Sequence, residues 1–319
     1  MHHSGFCSWK FCLRASVSLT IIRQPPKGRG DFGPLFQYDA ASSLLPKKNK
    51  PNWESVLRQI VNCLLLLSVC SVAMAEDWRL VWQDEFDGTS LNVQKWEIEV
   101  NAFGGGNHEL QIYTDRNENV RVENGHLVLA AHKGKYGIAG TERDFSSGRI
   151  RSKRRGDWKY GKMEIRAKLP QGQGIWPAIW MLPTDDTYGV WASSGEIDIM
   201  EFKGQEPDTI WGTLHYGQKW PDNMHTGETF KLANGNFSDD FHTYAVEWEE
   251  GVIRWYVDGK LWQTQTKWST PNGEFPAPFD QRFHMVLNVS VGGEFLGNPD
   301  DSTVFPAKML VDYVRVYQR

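Results

Sequence analysis

The chain has 319 residues, 40% of them hydrophobic and 23% charged, an ordinary globular composition with ample length for a large core. Residues 1–75 hold nine Lys+Arg against three Asp+Glu; the rest holds 26 against 36, a net charge near −10 that argues against a nucleic-acid partner. All four cysteines (Cys7, Cys12, Cys63, Cys70) precede residue 76, so the main body has neither disulfide nor thiol chemistry.

In chain order, residues 1–55 come first, with low periodicity and basic, Pro-rich patches (RQPPKGRG, PKKNKP). They read as a non-native or disordered extension, with a true start near Val56 or Leu57. Residues 56–75 read as a signal peptide: Arg58, the apolar run IVNCLLLLSVC, then the small-x-small site Ala73-Met74-Ala75. The run is short for a membrane span. A buried helix and lipidation at Cys70 are the alternatives. Cleavage or lipidation would place the mature protein outside the cytoplasm, secreted or periplasmic.

From residue 76 onward, short alternating or apolar runs recur between turn signals. They include WRLVWQ (78–83), NVRVEN (119–124), GHLVLAA (125–131), YGKMEIRAKL (160–169), HTYAVEWEE (242–250), VIRWYVDG (252–259), RFHMVLNVSV (282–291) and MLVDYVRVYQ (309–318). Asn124-Gly125 and Asp258-Gly259 predict hairpin turns. Thirty Gly, 15 Pro and 15 Trp suit this pattern. In YGKMEIRAKL, Met163, Ile165, Ala167 and Leu169 share one face and Glu164, Arg166 and Lys168 the other, a half-buried antiparallel strand. With no helix-period run and no long linker, 76–319 reads as one all-β domain, an antiparallel sandwich of two packed sheets.

The run GEIDIMEFKG (195–204) puts three carboxylates into an otherwise apolar strand. Burying carboxylates is costly unless they are paired. Glu196 and Asp198 share a face, but Glu201, five residues from Glu196, would turn away. One β-bulge restores it. The glutamates would then stand roughly 13 Å apart at Cα, and inward-leaning side chains could close to the ~5–5.5 Å of a retaining glycosidase pair. One carboxylate would attack the anomeric carbon while the other protonates the leaving oxygen. A third between them would help keep one proton in the cluster. A Mg²⁺ or Ca²⁺ site, or a solvated acidic strand, are the other readings of the same spacing.

GEIDIMEFKG resembles the E-[IL]-D-x-x-E signature of glycoside hydrolase family 16 in its bulged form. GIWPAIWMLP (174–183) resembles that family's tryptophan strand, and NAFGGGNHELQIYT (101–114) a loop and strand of its bacterial laminarinases, endo-β-1,3-glucanases. SGRI (147–150), TLHYG (213–217), FHTYAVEW (241–248), VLNVSVGG (286–293) and VDYVRVYQ (311–318) follow in the family's order. The preceding FSSGR departs from the commoner Tyr-Thr-Ser-Gly-Arg but keeps Arg149. The resemblance covers essentially all of 76–319. It implies a concanavalin A-like β-jelly roll with a cleft on its concave sheet, Glu196 as nucleophile, Asp198 as assisting carboxylate and Glu201 as general acid/base.

Trp176 and Trp180, flanking Ala178 on one strand face, are candidate platforms for sugar rings; taken alone, they would read as core. Trp191, in the loop before the acidic run, is another candidate. By its family position His215 lies near the leaving group. Asn101, Asn107, Glu109 and Arg149 are candidates for sugar hydroxyls, with Asn107 and Glu109 as alternative braces of the Gly104–Gly106 loop, and Glu294 is a weaker one. The resemblance also implies a structural Ca²⁺ held by Glu85, the Gly125 carbonyl and Asp312; no cofactor is expected for catalysis. The expected function is hydrolysis of β-1,3-glucan such as laminarin by a monomer without a membrane span, with mixed-linkage β-1,3-1,4-glucan as a side substrate. The rivals are an agarase or carrageenase, a non-catalytic glucan-recognition protein, which would lack the glutamates, and a legume-lectin-like binder, which would not need three carboxylates on one strand.

Overall fold

The computed structural model describes residues 77–319. The segments read as an extension and a signal peptide lie outside the described residues. Among those described, no helix is long and apolar enough to cross a membrane.

The strands are β1 (Arg79–Asp84), β2 (Glu97–Ile98), β3 (Gln111–Tyr113), β4 (Val120–Glu123), β5 (His126–Ile138), β6 (Thr141–Ser147), β7 (Arg149–Arg151), β8 (Asp157–Trp158) and β9 (Gly161–Lys168), then β10 (Ile175–Pro183), β11 (Glu196–Phe202), β12 (Thr209–Gly217), β13 (Asn223–Lys231), β14 (His242–Glu249), β15 (Val252–Val257), β16 (Lys260–Gln265), β17 (Phe283–Val291) and β18 (Ala307–Gln318). They form two sheets. The first runs β16-β15-β14-β9-β18-β5-β6-β3, with β1 on β18 and β4 on β5. The second runs β13-β12-β11-β10-β17-β7-β2, with β8 on β17. Among the described residues, only β3 and β6 pair in parallel.

Sequence parity explains the layers. Along β9 the burial alternates residue by residue, with Met163, Ile165 and Ala167 fully buried. The second sheet answers with Ile175, Ile179 and Met181 of β10, Ile197 and Phe202 of β11, and Ile210 and Leu214 of β12. Trp248 and Trp255 fill the space between. Asn124 and Gly125 both have positive φ, 55° and 75°, and close the β4–β5 hairpin; Asp258 and Gly259 do the same for β15–β16.

β17 is buried on both faces. Its inner residues join the core, while His284, Asn288 and Ser290 on the other face are covered from the cleft side. Burial leaves the His284 imidazole surrounded by protein and near Lys153, Arg151 and Arg149, which pushes its pKa down to about 3 and keeps it neutral.

Candidate active site

The expected bulge is present. On β10, Trp180 faces Asp198 and the adjacent Ile179 faces Met200, so Ile199 has no partner there. On the other side, Asp198 pairs with Thr213 and Glu201 with Trp211. The extra residue restores parity: Ile197 and Met200 point into the core, while Glu196, Asp198 and Glu201 share the outer face. The bulge is pinned from the opposite sheet, where the Trp255 indole N–H donates to the Asp198 backbone carbonyl across the core (2.8 Å). Gly212 makes room for that indole, since a Cβ there would lie 2.8 Å from Trp255 Cδ1.

Glu196 sits opposite His215. It accepts a hydrogen bond from the Trp191 indole N–H at 2.5 Å, a contact that holds the carboxylate at the edge of the loop. Asp198 is only 2% exposed. Its Oδ2 lies 3.3 Å from His215 Nε2. Burial, then the neighbouring Glu196 charge, raises the Asp198 pKa well above the ordinary value. Burial, then the Asp198 charge, does the same for Glu201. Asp198 and Glu201 therefore hold their protons to higher pH than isolated carboxyls would. Such a cluster offers an anionic nucleophile and a proton donor on one surface.

Oxygen and nitrogen atoms of Glu196, Asp198 and His215 come within 4.8 Å of one another. Ca²⁺ and Mg²⁺ prefer six or more oxygen donors. This face surrounds the carboxylates with indoles and imidazoles instead, which suits acid–base work better than a hard cation.

The other predicted residues divide into groups. Trp180 is half-buried beside the acids. Arg149 is buried and stacks 4.7 Å over the Trp180 ring and 5.7 Å over Tyr113, with its charge met by Glu99. Arg149 is thus committed to protein contacts under the tryptophan. Asn101 joins this corner through paired backbone bonds with Tyr113 (2.8 and 3.2 Å). Trp191 and His215 stand on the opposite side, with ring centroids 5.8 Å apart. Trp176 is on the expected face but only 8% exposed, because Phe295 packs against it at 4.8 Å and Leu296 joins the cluster.

Glu109 and Asn107 brace the glycine loop. The Glu109 carboxylate is buried and accepts from Gln111 Nε2 (2.6 Å) and the Tyr113 hydroxyl (3.3 Å). It occupies the space where a Gly105 side chain would stand. The Asn107 carbonyl accepts from the Glu294 backbone N–H (2.9 Å), and His108 Nδ1 meets the Glu294 carboxylate at 2.8 Å.

Several contributors were missed by sequence reasoning. The Trp180 indole N–H donates to Asn288 Oδ1 (2.7 Å), and Asn288 Nδ2 donates to Ser290 Oγ (2.9 Å) and the Tyr113 hydroxyl (3.2 Å). The signal was there: VLNVSV places two polar side chains in a run whose apolar neighbours are buried, and buried polar groups need partners. Lys203, 4.4 Å from the Phe295 ring and 4.7 Å from Trp211, braces the far corner.

The segments expected to hold Ca²⁺ meet on the other sheet. Asp84 pairs with Val314, and Val311 with Leu127, so Glu85, Gly125 and Asp312 lie around the bulge in β18 between Val311 and Tyr313. Their oxygens suit Ca²⁺ in kind. Glu85 is held by two hydrogen bonds from Arg315 (both 2.8 Å), and Asp312 by one from Arg166 (2.7 Å).

The sequence profile of "Glycosyl hydrolases family 16" matches residues 107–314. A glucan endo-1,3-beta-glucosidase A1 of Niallia circulans is 45% identical over 258 residues, 75% of this chain but 38% of that protein. A beta-glucanase of Rhodothermus marinus is 41% identical over 271 residues, 82% of this chain and 93% of the relative. Among solved structures, the catalytic domain of an endo-1,3-beta-glucanase (laminarinase) from Thermotoga petrophila RKU-1 superposes with a TM-score of 0.69 at 39% identity. That match covers 76% of this chain and 99% of the other, and it agrees with the two-sheet jelly roll. Profile, identity, fold and the acidic signature on its bulged strand converge, and the chain belongs to glycosyl hydrolase family 16.

Proposed function

We propose that this chain is a secreted endo-acting β-1,3-glucanase that works by double displacement, with net retention at the anomeric carbon. The observation that carries this reading is β11, whose bulge sets Glu196, Asp198 and Glu201 on one face beside Trp180, Trp191 and His215. The names carried by the relatives, a glucan endo-1,3-beta-glucosidase and a laminarinase catalytic domain, support the substrate class.

In the first step a Glu196 oxygen attacks C1 of the sugar as the C1–O bond to the leaving chain breaks. Glu201, kept protonated by burial and by Asp198, gives its proton to the departing oxygen. In the second step Glu201 takes a proton from water, which attacks C1 and releases Glu196. Asp198, itself biased towards its protonated form, supplies a hydrogen bond to Glu196 as the covalent bond breaks. Trp191 steadies the same carboxylate from the loop side. The indoles of Trp180 and Trp191 offer apolar faces to sugar C–H groups, and Asn101 supplies a polar edge. Mixed-linkage β-1,3-1,4-glucan is a side substrate in this reading. The leader-like residues 56–75 support export.

The test is reducing-sugar release by residues 76–319 from laminarin, mixed-linkage glucan, agarose and carrageenan, with Glu196→Gln and Glu201→Gln alongside. Laminarin is expected to be cleaved fastest. Glu196→Gln is expected to abolish release and Glu201→Gln to slow it by about 10²–10⁴-fold. Proton NMR of the first products should show the β-anomer before mutarotation. Release from agarose or carrageenan alone overturns the substrate, and an initial α-anomer overturns retention.

A further inference from the structure

Among the described residues, only two tryptophans are exposed, Trp191 at 39% and Trp220 at 70%. They are neighbours. The Trp220 backbone N–H donates to the Trp191 carbonyl at 3.4 Å. Trp220 lies in the turn between β12 and β13, three residues beyond the end of β12, the strand that carries His215. Trp191 in turn is hydrogen-bonded to Glu196. Trp191, Trp220 and Val190 are thus exposed apolar residues, and the backbone of Trp220 is tied to the residue whose indole holds Glu196.

A single exposed apolar residue needs no explanation, but two exposed tryptophans linked backbone to backbone beside a site do. Other tryptophans of this chain, such as Trp96, Trp248 and Trp255, are fully buried. Trp220 forgoes that burial. Around it, Gln218, Lys219 and Asp222 are exposed and polar, and the His225 ring on β13 stands 5.7 Å from that of His215. An apolar ring face edged by hydrogen-bonding groups matches a glucosyl unit, with its C–H face and ring of hydroxyls.

We propose that Trp220 is a glucan-binding platform that lengthens the cleft past Trp191 and makes the site favour long chains over short ones. This rests on the β-1,3-glucanase reading. Trp220 is joined to Glu196 through Trp191 rather than directly, so it is placed to act on polymer binding and to leave the turnover step alone.

Two measurements test this. The first is kinetics of Trp220→Ala and Trp220→Tyr on β-1,3-gluco-oligosaccharides of increasing length. The second is affinity electrophoresis of Glu196→Gln, with and without Trp220→Ala, in gels containing soluble β-1,3-glucan. Trp220→Ala is expected to raise KM on long chains roughly tenfold, equivalent to ~1.4 kcal/mol. Its kcat, its values on the shortest cleaved oligosaccharide and its Tm should match the native chain, and Trp220→Tyr should recover most of the loss. Unchanged KM at every length overturns the platform. An equal loss at every length also overturns it, because Trp220 would then act by supporting the Trp191 loop. If the native chain cleaves no β-1,3-glucan, the functional reading fails while the gels still decide the platform. Retardation that depends on Trp220 upholds it, and retardation indifferent to Trp220, or none at all, overturns it.

Discussion

Asp198 has its carboxyl at 2% exposure, with the Glu196 charge beside it and His215 Nε2 at 3.3 Å as the nearest partner. In the unfolded chain the same group titrates near its ordinary 3.8. In the folded chain it holds its proton to higher pH. Between those two values the native state binds more protons than the unfolded state, so stability falls as pH rises through that window. Glu201, raised for the same reasons, adds to the slope. Asn keeps the shape of Asp198 and removes the charge that burial opposes. Asp198→Asn is therefore expected to melt higher than the native chain at pH 7, with the difference shrinking towards pH 4, while hydrolysis falls. Calorimetric scans from pH 4 to pH 8 check this, and a variant that melts lower throughout would show that Asp198 stabilises the fold as an anion.

At the scale of the element, the bulge in β11 depends on a residue from the other sheet. Removing the Trp255 N–H leaves the Asp198 carbonyl without its donor in the core, a loss of about 1–3 kcal/mol. Trp255→Phe should lower the urea midpoint accordingly and lower kcat by roughly 10–100-fold, because small misplacements of catalytic groups are expensive. Gly212→Ala should do the same by pushing the indole away. A stability loss with unchanged kcat would reduce Trp255 to a core residue. These elements also mark what was legible in the sequence. The odd spacing from Glu196 to Glu201 asked for a bulge if the two were to share a face, and strand parity put Trp176 and Trp180 on one face of their strand, which the family resemblance turned towards the cleft. Parity fixes a side, though, and is silent on cover: Trp176 is shielded by Phe295, 119 positions later, from a loop whose path no periodicity encodes. The Trp255 contact spans 57 residues and the Arg149–Glu99 pair 50, and neither leaves a local signal. Trp220 was overlooked because a tryptophan in a turn says nothing about its exposure until its neighbours are placed.

Across the whole molecule, the two sheets divide the work. The outer face of the second sheet carries the acids, and the first sheet gathers Glu85, Gly125 and Asp312 around the β18 bulge. We propose that a structural Ca²⁺ binds there and staples the ends of β1 and the β4–β5 turn to β18, away from the reaction. Arg315 and Arg166 compete for the two carboxylates. Partly exposed pairs of this kind are worth about 0–1 kcal/mol each, a modest barrier to a dication with oxygen ligands. A ligand that binds only the folded state stabilises it by ~2.7 kcal/mol at a hundred times its Kd, or about 5–10 °C in a domain of this size. Chelation with EGTA should therefore lower Tm by several degrees, CaCl₂ should restore it, and kcat on laminarin at 25 °C should stay constant because the sheet with the acids is untouched. Arg166→Leu, which leaves His126 as the remaining neighbour of the Asp312 carboxylate, should tighten Ca²⁺ binding, whereas Asp312→Asn should remove the response to EGTA. A melting curve indifferent to chelator and to added calcium would mean that the two arginines have taken the place of the metal, and that the stapling of β18 is done by ion pairs alone.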